Sequence, residues 1–227
     1  FSSSSKANEN WKVKVLEGKK IYGMREFKLL PPHSRHHVVE WVGHALENKE
    51  ALIALRYFFI EATLNGDDLG VYAIEEHFNK ELLENRKARE GIIFSLKSDQ
   101  IKIFNEKKIN KDTNKRNQVR LLKSALQSVK NNEIDIARIF DLNKFASHFA
   151  IIDLMDGYHA LGSNSIYYLN PVTNLIEPIT REYNSLRYSE GQPNVNSLMI
   201  EAGQGNQDGS FAITNKLFKN KEFTDQY

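Results

Sequence analysis

The chain has 227 residues, 41% of them apolar and 26% charged, with a formal net charge of +2. That is an ordinary balance for a globular protein, and it excludes a chain that binds nucleic acid through bulk charge. There is no cysteine, which excludes a disulfide framework, a thiolate metal site and a thiol nucleophile. No apolar run is long enough to cross a membrane, so any membrane contact is expected only through regions outside this stretch.

Residues 1–10 are rich in Ser and Asn and are expected to be mobile, with one folded domain over residues 11–227. The chain opens on Phe1 and Ser2 without a starting Met and reads as a piece of a longer protein. Trp11-Lys12-Val13-Lys14-Val15-Leu16 alternates apolar and basic side chains, the period of a half-buried strand, and Met24 to Leu30 reads as the next strand, ended by Pro31-Pro32. From His36 to Leu46, the helical spacing of Val39, Val42 and Leu46, with Trp41 alongside, predicts an amphipathic helix. Arg56 to Leu64 and Leu69 to Glu75 flank Asn65-Gly66, a strong hairpin signal. Asn79 is placed to cap a helix through Glu84, and Ile92 to Leu96 reads as a further strand.

From Lys97 to Lys130 the chain is rich in Lys, Arg and Asn and poor in acids. This predicts an exposed insertion followed by a basic helix around Val119 to Val129, read as a solvated face or as a dock for acidic partners. Asp141 is placed to cap a helix from Leu142 to Met155, whose stripe of Phe145, Phe149, Ile152 and Met155 is core. A polar loop, a tight hairpin around Tyr167 to Ile179 and a second polar loop follow. After Asn184, Gly203, Gly205 and Gly209 predict a long loop, with a final helix near Ile213 to Lys219. The expected class is α+β, with a mainly antiparallel sheet built of hairpins and packed helices.

The chemistry concentrates in the two polar loops that the last hairpin brings side by side: Asp156, His159 and Asn164 before it, Glu182 and Asn184 after it. Protein kinases use the same order of parts, a catalytic loop ending in Asn, two short strands and an acidic metal ligand. Glu182, Asn164 and Asn184 carry oxygens suited to Mg²⁺, and Asp156 or His159 could take a proton from an attacking hydroxyl. A cation for phosphate should come from an amino-terminal strand, where Lys14 and Lys28 are the candidates and Glu76 a candidate partner. His33, His36 and His37 cluster, but without Cys or a His-Glu-x-x-His motif they are not read as a metal site.

Several of these segments together resemble the CotH family of atypical kinases. They are Trp11 to Leu30, Leu64-Asn65-Gly66, Leu69-Gly70-Val71-Tyr72, Glu75 to Leu83, Phe140-Asp141-Leu142, Asn164 with Tyr167 to Pro171, and Glu177-Pro178-Ile179. The resemblance implies a reduced kinase-like fold that uses ATP with Mg²⁺ or Mn²⁺ to phosphorylate Ser or Thr of a protein substrate. Residue by residue it implies Lys14 or Lys28 as the phosphate lysine, Glu76 as its acidic partner and Asn164 as a metal ligand. Where many members have Asp before this Asn, the chain has His159. Where many have Trp-Asp-x-Asp, it has Arg181-Glu182-Tyr183-Asn184, so Glu182 would stand in for a metal-binding Asp. The alternative is a kinase-like module that has lost transfer and serves coat or surface assembly. The family implies an extracytoplasmic, spore-coat or cell-surface location; the sequence carries no signal for oligomeric state.

Overall fold

A computed structural model describes residues 9–16, 18–97, 100–183 and 209–227. The expectations for residues 1–8, for Asn184 and for the loop that follows it lie outside the described residues. The fold is α+β and rests on two four-stranded sheets. The first orders its strands β1-β2-β4-β3, with β1 Trp11–Lys14, β2 Glu26–Leu30, β3 Tyr57–Leu64 and β4 Asp67–Glu76. The second orders them β6-β5-β7-β8, with β5 Ile92–Lys97, β6 Gln100–Ile103, β7 Ile166–Leu169 and β8 Ile176–Ile179. Among the described residues every ladder is antiparallel, and isolated parallel bridges tie β8 to Ile53 at one end and Phe140 at the other.

The helices are α1 Val39–Lys49, α2 Lys80–Asn85, α3 Glu106–Ile109, α4 Thr113–Lys130, α5 Leu142–Leu154, α6 Gly209–Phe218 and α7 Lys221–Gln226. Local chemistry sets their starts. Asn79 accepts from the Glu81 N–H at 3.0 Å and Asp141 from the Lys144 N–H at 3.2 Å, satisfying amides that have no partner inside the first turn. In the β3–β4 hairpin Asn65 and Gly66 both hold positive φ, 53° and 92°, the backbone that Asn-Gly turns favour.

The main core lies where α4, α5, α6 and α7 pack against the second sheet. Phe94, Phe140, Phe145, Phe149, Leu217 and Phe223 form its centre. The stripe predicted on α5 is buried at Phe145, Phe149 and Ile152, and Met155 packs against it. On α4, Val119, Leu122, Leu126 and Val129 face this core while the basic residues stay outside. Three elements went unpredicted, β6, α3 and α7, and within the stretch expected to be an exposed insertion Ile103 and Ile109 are buried in the main core. β6 alternates Ile101 and Ile103 with Gln100 and Lys102, too short a pattern to stand out in a Lys-rich segment.

The first long helix departs from its amphipathic reading. Its buried face is Glu40, Gly43, His44 and Glu47, while Trp41 and Val42 are exposed and Val39 and Leu46 half-buried. A polar stripe at positions i, i+4 and i+7 has gone inward, and each of its groups finds a buried partner, as described below.

Candidate functional site

Cross-strand register decides which side chains meet. Lys12 lies opposite Lys28, Lys14 opposite Glu26 and Lys28 opposite Glu75, so all five share one face of the first sheet. Lys28 Nζ donates to Glu75 Oε1 at 2.7 Å. Glu76, one residue on, points to the other face, where it binds the Arg56 guanidinium and accepts from the Arg56 backbone N–H at 3.0 Å. The acidic partner of Lys28 is therefore Glu75 and not the expected Glu76, because successive residues of a strand alternate between faces. Lys14 stays on the Lys28 face but away from this pair, on the rim of a cavity.

Arg35 ends the 3₁₀ turn Pro32–Arg35 that directly follows β2. Its Nε donates to Glu75 Oε2 at 3.2 Å and a terminal nitrogen to Glu182 Oε1 at 2.9 Å, so one guanidinium bridges the first sheet and the second polar loop. Arg181 adds a contact of 3.0 Å to the same Glu182 oxygen, with its guanidinium 5.5 Å from the centre of the Phe78 ring.

Glu182 is held in an unusual way. Its φ is +64°, a left-handed conformation that non-glycine residues adopt at a cost. Its backbone N–H donates to Glu40 Oε1 at 2.6 Å, and that of Tyr183 to Glu40 Oε2 at 2.9 Å. Glu40 has no exposed surface. His44 Nε2 lies 3.4 Å from Glu40 Oε1, and His44 Nδ1 3.1 Å from Glu47 Oε2. Thr180 Oγ1 meets His148 Nδ1 at 2.5 Å, and the Tyr183 ring occupies the space that a Cβ on Gly43 would need.

The first polar loop arrives from the other side. His159 Nδ1 lies 3.3 Å from Glu182 Oε2. Asn164 Nδ2 donates to the His159 carbonyl at 2.8 Å and lies 3.4 Å from His159 Nε2. A proton on Nδ1 would face the Glu182 carboxylate and leave Nε2 to accept from the Asn164 amide, so both ring nitrogens have neighbours. Asp156 lies just past the end of α5 and its cap Met155, with φ +51°. The next residue, Gly157, runs close to the second loop, since a Cβ there would sit 3.1 Å from the Tyr183 carbonyl. The structure thus brings His159, Asn164 and Glu182 together, while Asp156 is placed only through its neighbour Gly157, which lies against Tyr183. Asn184 lies outside the described residues.

Charge explains the cluster's cohesion. Burial alone would raise the Glu75 carboxyl, but Lys28, Arg35 and Arg181 outweigh it and hold it below the usual carboxylate range. Burial likewise opposes the charge on Arg35, and Glu75, Glu182 and Glu40 more than compensate. The three cations thus converge on two buried carboxylates, Glu75 and Glu182. For a divalent ion, Glu182 and Asn164 offer hard oxygen donors, and Mg²⁺ is commonly held by one or two carboxylates plus substrate phosphates. Both Glu182 oxygens already have cationic or imidazole neighbours, so an incoming ion would exchange with them. Among the described residues no group of three or more His, Asp or Glu is placed to hold a metal unaided.

Along the same sheet face a cavity of about 490 Å³ opens between the two sheets, lined by Lys14, Glu26, Asn79, Leu83, Ile93 and Phe104 among others. Its volume falls within the range of small-molecule sites. Glu26, on its wall, is two residues from Lys28, about 7 Å along the strand.

Arg35, Arg181, Glu75 and Glu40 were missed by sequence reasoning. Glu75 was recoverable from strand alternation once Lys28 was in view, and Glu40-x₃-His44-x₂-Glu47 has the spacing of a single helix stripe. Arg35 and Arg181 carry no local signal. No curated protein matches the sequence. The family described as CotH kinase protein matches residues 2–227, almost the full length, on a chain whose lysine–glutamate pair and paired polar loops agree with that match, and the protein belongs to the CotH kinase family.

Proposed function

We propose that the chain is a kinase-like domain that binds ATP and transfers its γ-phosphoryl group to a Ser or Thr hydroxyl of a protein substrate. The observation that carries this reading is the convergence of Lys28, Arg35 and Arg181 on Glu75 and Glu182, at the end of a sheet face that continues into the 490 Å³ cavity. The nucleoside would occupy that cavity and its phosphates the cationic end. A divalent metal, Mg²⁺ or Mn²⁺, held at Glu182 and Asn164, would neutralise charge on the phosphate oxygens.

Each residue then has a task. Lys28, oriented by Glu75, holds phosphate oxygens, and Arg35 and Arg181 balance the charge that develops as the bond to the β-phosphate oxygen breaks. The hydroxyl oxygen forms the new bond to phosphorus and gives up its proton to the Asp156 carboxylate. His159, set between Glu182 and Asn164, keeps the two in register. The family's spore-coat association favours action outside the cytoplasm, with membrane contact, if present, supplied by other regions.

A second reading has an observation of its own. Both Glu182 oxygens are taken up by Arg35, Arg181 and His159, which favours a module that binds nucleotide or protein without transfer. Labelled ATP with Mn²⁺ and a Ser/Thr-containing acceptor separates the two. Transfer by wild type that falls at least roughly 100-fold in Glu182→Ala supports the enzyme. Nucleotide binding without transfer supports the module, and absence of both refutes each.

A further inference from the structure

Glu182 carries the metal-facing carboxylate, yet no covalent or local feature of the sequence explains why it holds a left-handed backbone. The cause lies 142 residues away, in a side chain with no exposed surface. Glu40 projects from the first turn of α1 into the loop after β8, and each of its two oxygens receives one backbone N–H, from Glu182 and from Tyr183. Consecutive amides that point the same way into one carboxylate fix the orientation of both peptide planes. With those planes fixed, the Glu182 side chain is directed away from α1 and toward Arg35, Arg181 and His159.

Resting on the kinase reading above, we propose that Glu40 is a positioning residue for phosphoryl transfer: its carboxylate clamps the backbone of Glu182 and Tyr183 and so places the Glu182 carboxylate without touching substrate.

Two further contacts belong to the same clamp. His44, one turn along α1, lies against Glu40 Oε1 and supplies a positive neighbour for a carboxylate with no exposed surface. Gly43, between them, lets the Tyr183 ring rest against the helix backbone. The loop is therefore fastened by charge, by two amide bonds and by shape at one spot. A glutamine at position 40 keeps the size of the side chain but offers one oxygen and one NH₂. One amide would then face a donor instead of an acceptor, and the peptide plane would turn away.

The test combines kinetics with amide hydrogen exchange on the whole chain. In the wild type, the Glu182 and Tyr183 amides should exchange slowly; exchange at the rate of open loop amides overturns the clamp, and this measurement needs no variant. In Glu40→Gln, kcat should fall about 10–100-fold while the KM for ATP stays within about twofold, as for other outer residues that orient a ligand. Protection should be lost at those two amides alone. Unchanged kcat overturns the proposal, and so does a loss of protection spread through α1 and α5, which would mark Glu40 as a general structural residue. Glu40→Asp, which keeps both oxygens on a shorter stem, should recover part of the lost rate; an activity no higher than that of Glu40→Gln counts against the clamp. If the wild type transfers no phosphoryl group at all, the kinase reading fails, and the exchange of the two amides still decides whether Glu40 holds the loop.

Discussion

Glu75 and Glu76 are neighbours in sequence, equally buried and chemically identical, yet they serve opposite faces of one strand. Glu75 joins Lys28 and Arg35 at the site; Glu76 neutralises Arg56 and caps its backbone amide. If the proposed transfer holds, Glu75→Gln should reduce it per folded molecule by roughly tenfold or more, because Lys28 and Arg35 lose their common anchor. Glu76→Gln should leave transfer per folded molecule within about twofold but lower stability by roughly 1–3 kcal/mol, since a half-buried guanidinium loses its charged partner. Activity normalised to folded fraction, beside a urea melt, reads both, and the reverse pattern would restore Glu76 as the partner of Lys28. Residue type was legible here and residue assignment was not. The segment Ile74-Glu75-Glu76 shows two acids at a strand end, while the choice between them depends on a register set by β2.

At the scale of elements, hairpins and capped helices were readable because their signals are local. Asn65-Gly66, Asn79 and Asp141 each sit where the turn or cap chemistry places them. α1 was legible as a helix but not in its orientation. Counting apolar residues points Trp41 and Val42 inward, whereas the protein buries Glu40, His44 and Glu47, whose value lies in partners supplied by distant chain segments. Gly43 makes the point testable. Alanine is favoured over glycine inside a helix by about 1 kcal/mol, but a methyl here enters the Tyr183 ring, and overpacking typically costs 1–3 kcal/mol. Gly43→Ala should therefore lower the urea midpoint despite its better helix propensity. An unchanged or raised midpoint would mean that Tyr183 does not rest on α1.

The molecule as a whole should show the buried α1 network in its pH dependence. His44 faces Glu40 and Glu47 from its own helix and the rings of Tyr57 and Tyr183 from β3 and the loop after β8. Burial opposes its charge, but the two carboxylates prevail and raise its pKa from 6.5 to about 9. The folded state thus holds a proton that the unfolded chain gives up. The contribution is full below pH 6.5 and lost as pH rises through about 9, on the order of 3 kcal/mol at most. For Glu47 burial also opposes the charge, and His148 and His44 outweigh it, lowering its pKa to about 2, so its contribution is present above pH 4.5 and fades as pH falls toward about 2. Stability should accordingly decline between pH 6.5 and 9 in the wild type and lose most of that slope in His44→Gln, as chemical denaturation at several pH values would show. An equal slope in the variant would mean that His44 is not charged in the folded state.

The two parallel bridges that flank β8 have a bearing on how the protein matures. Ile179 is fastened to Ile53, Ile176 to Phe140, and Glu182 to Glu40, so the reactive corner draws on three widely separated stretches of chain. Contacts of such long range form only after the intervening loops have closed. The corner around Glu182 is therefore completed late, once these distant stretches have docked, and a nascent or half-folded molecule does not yet hold it together.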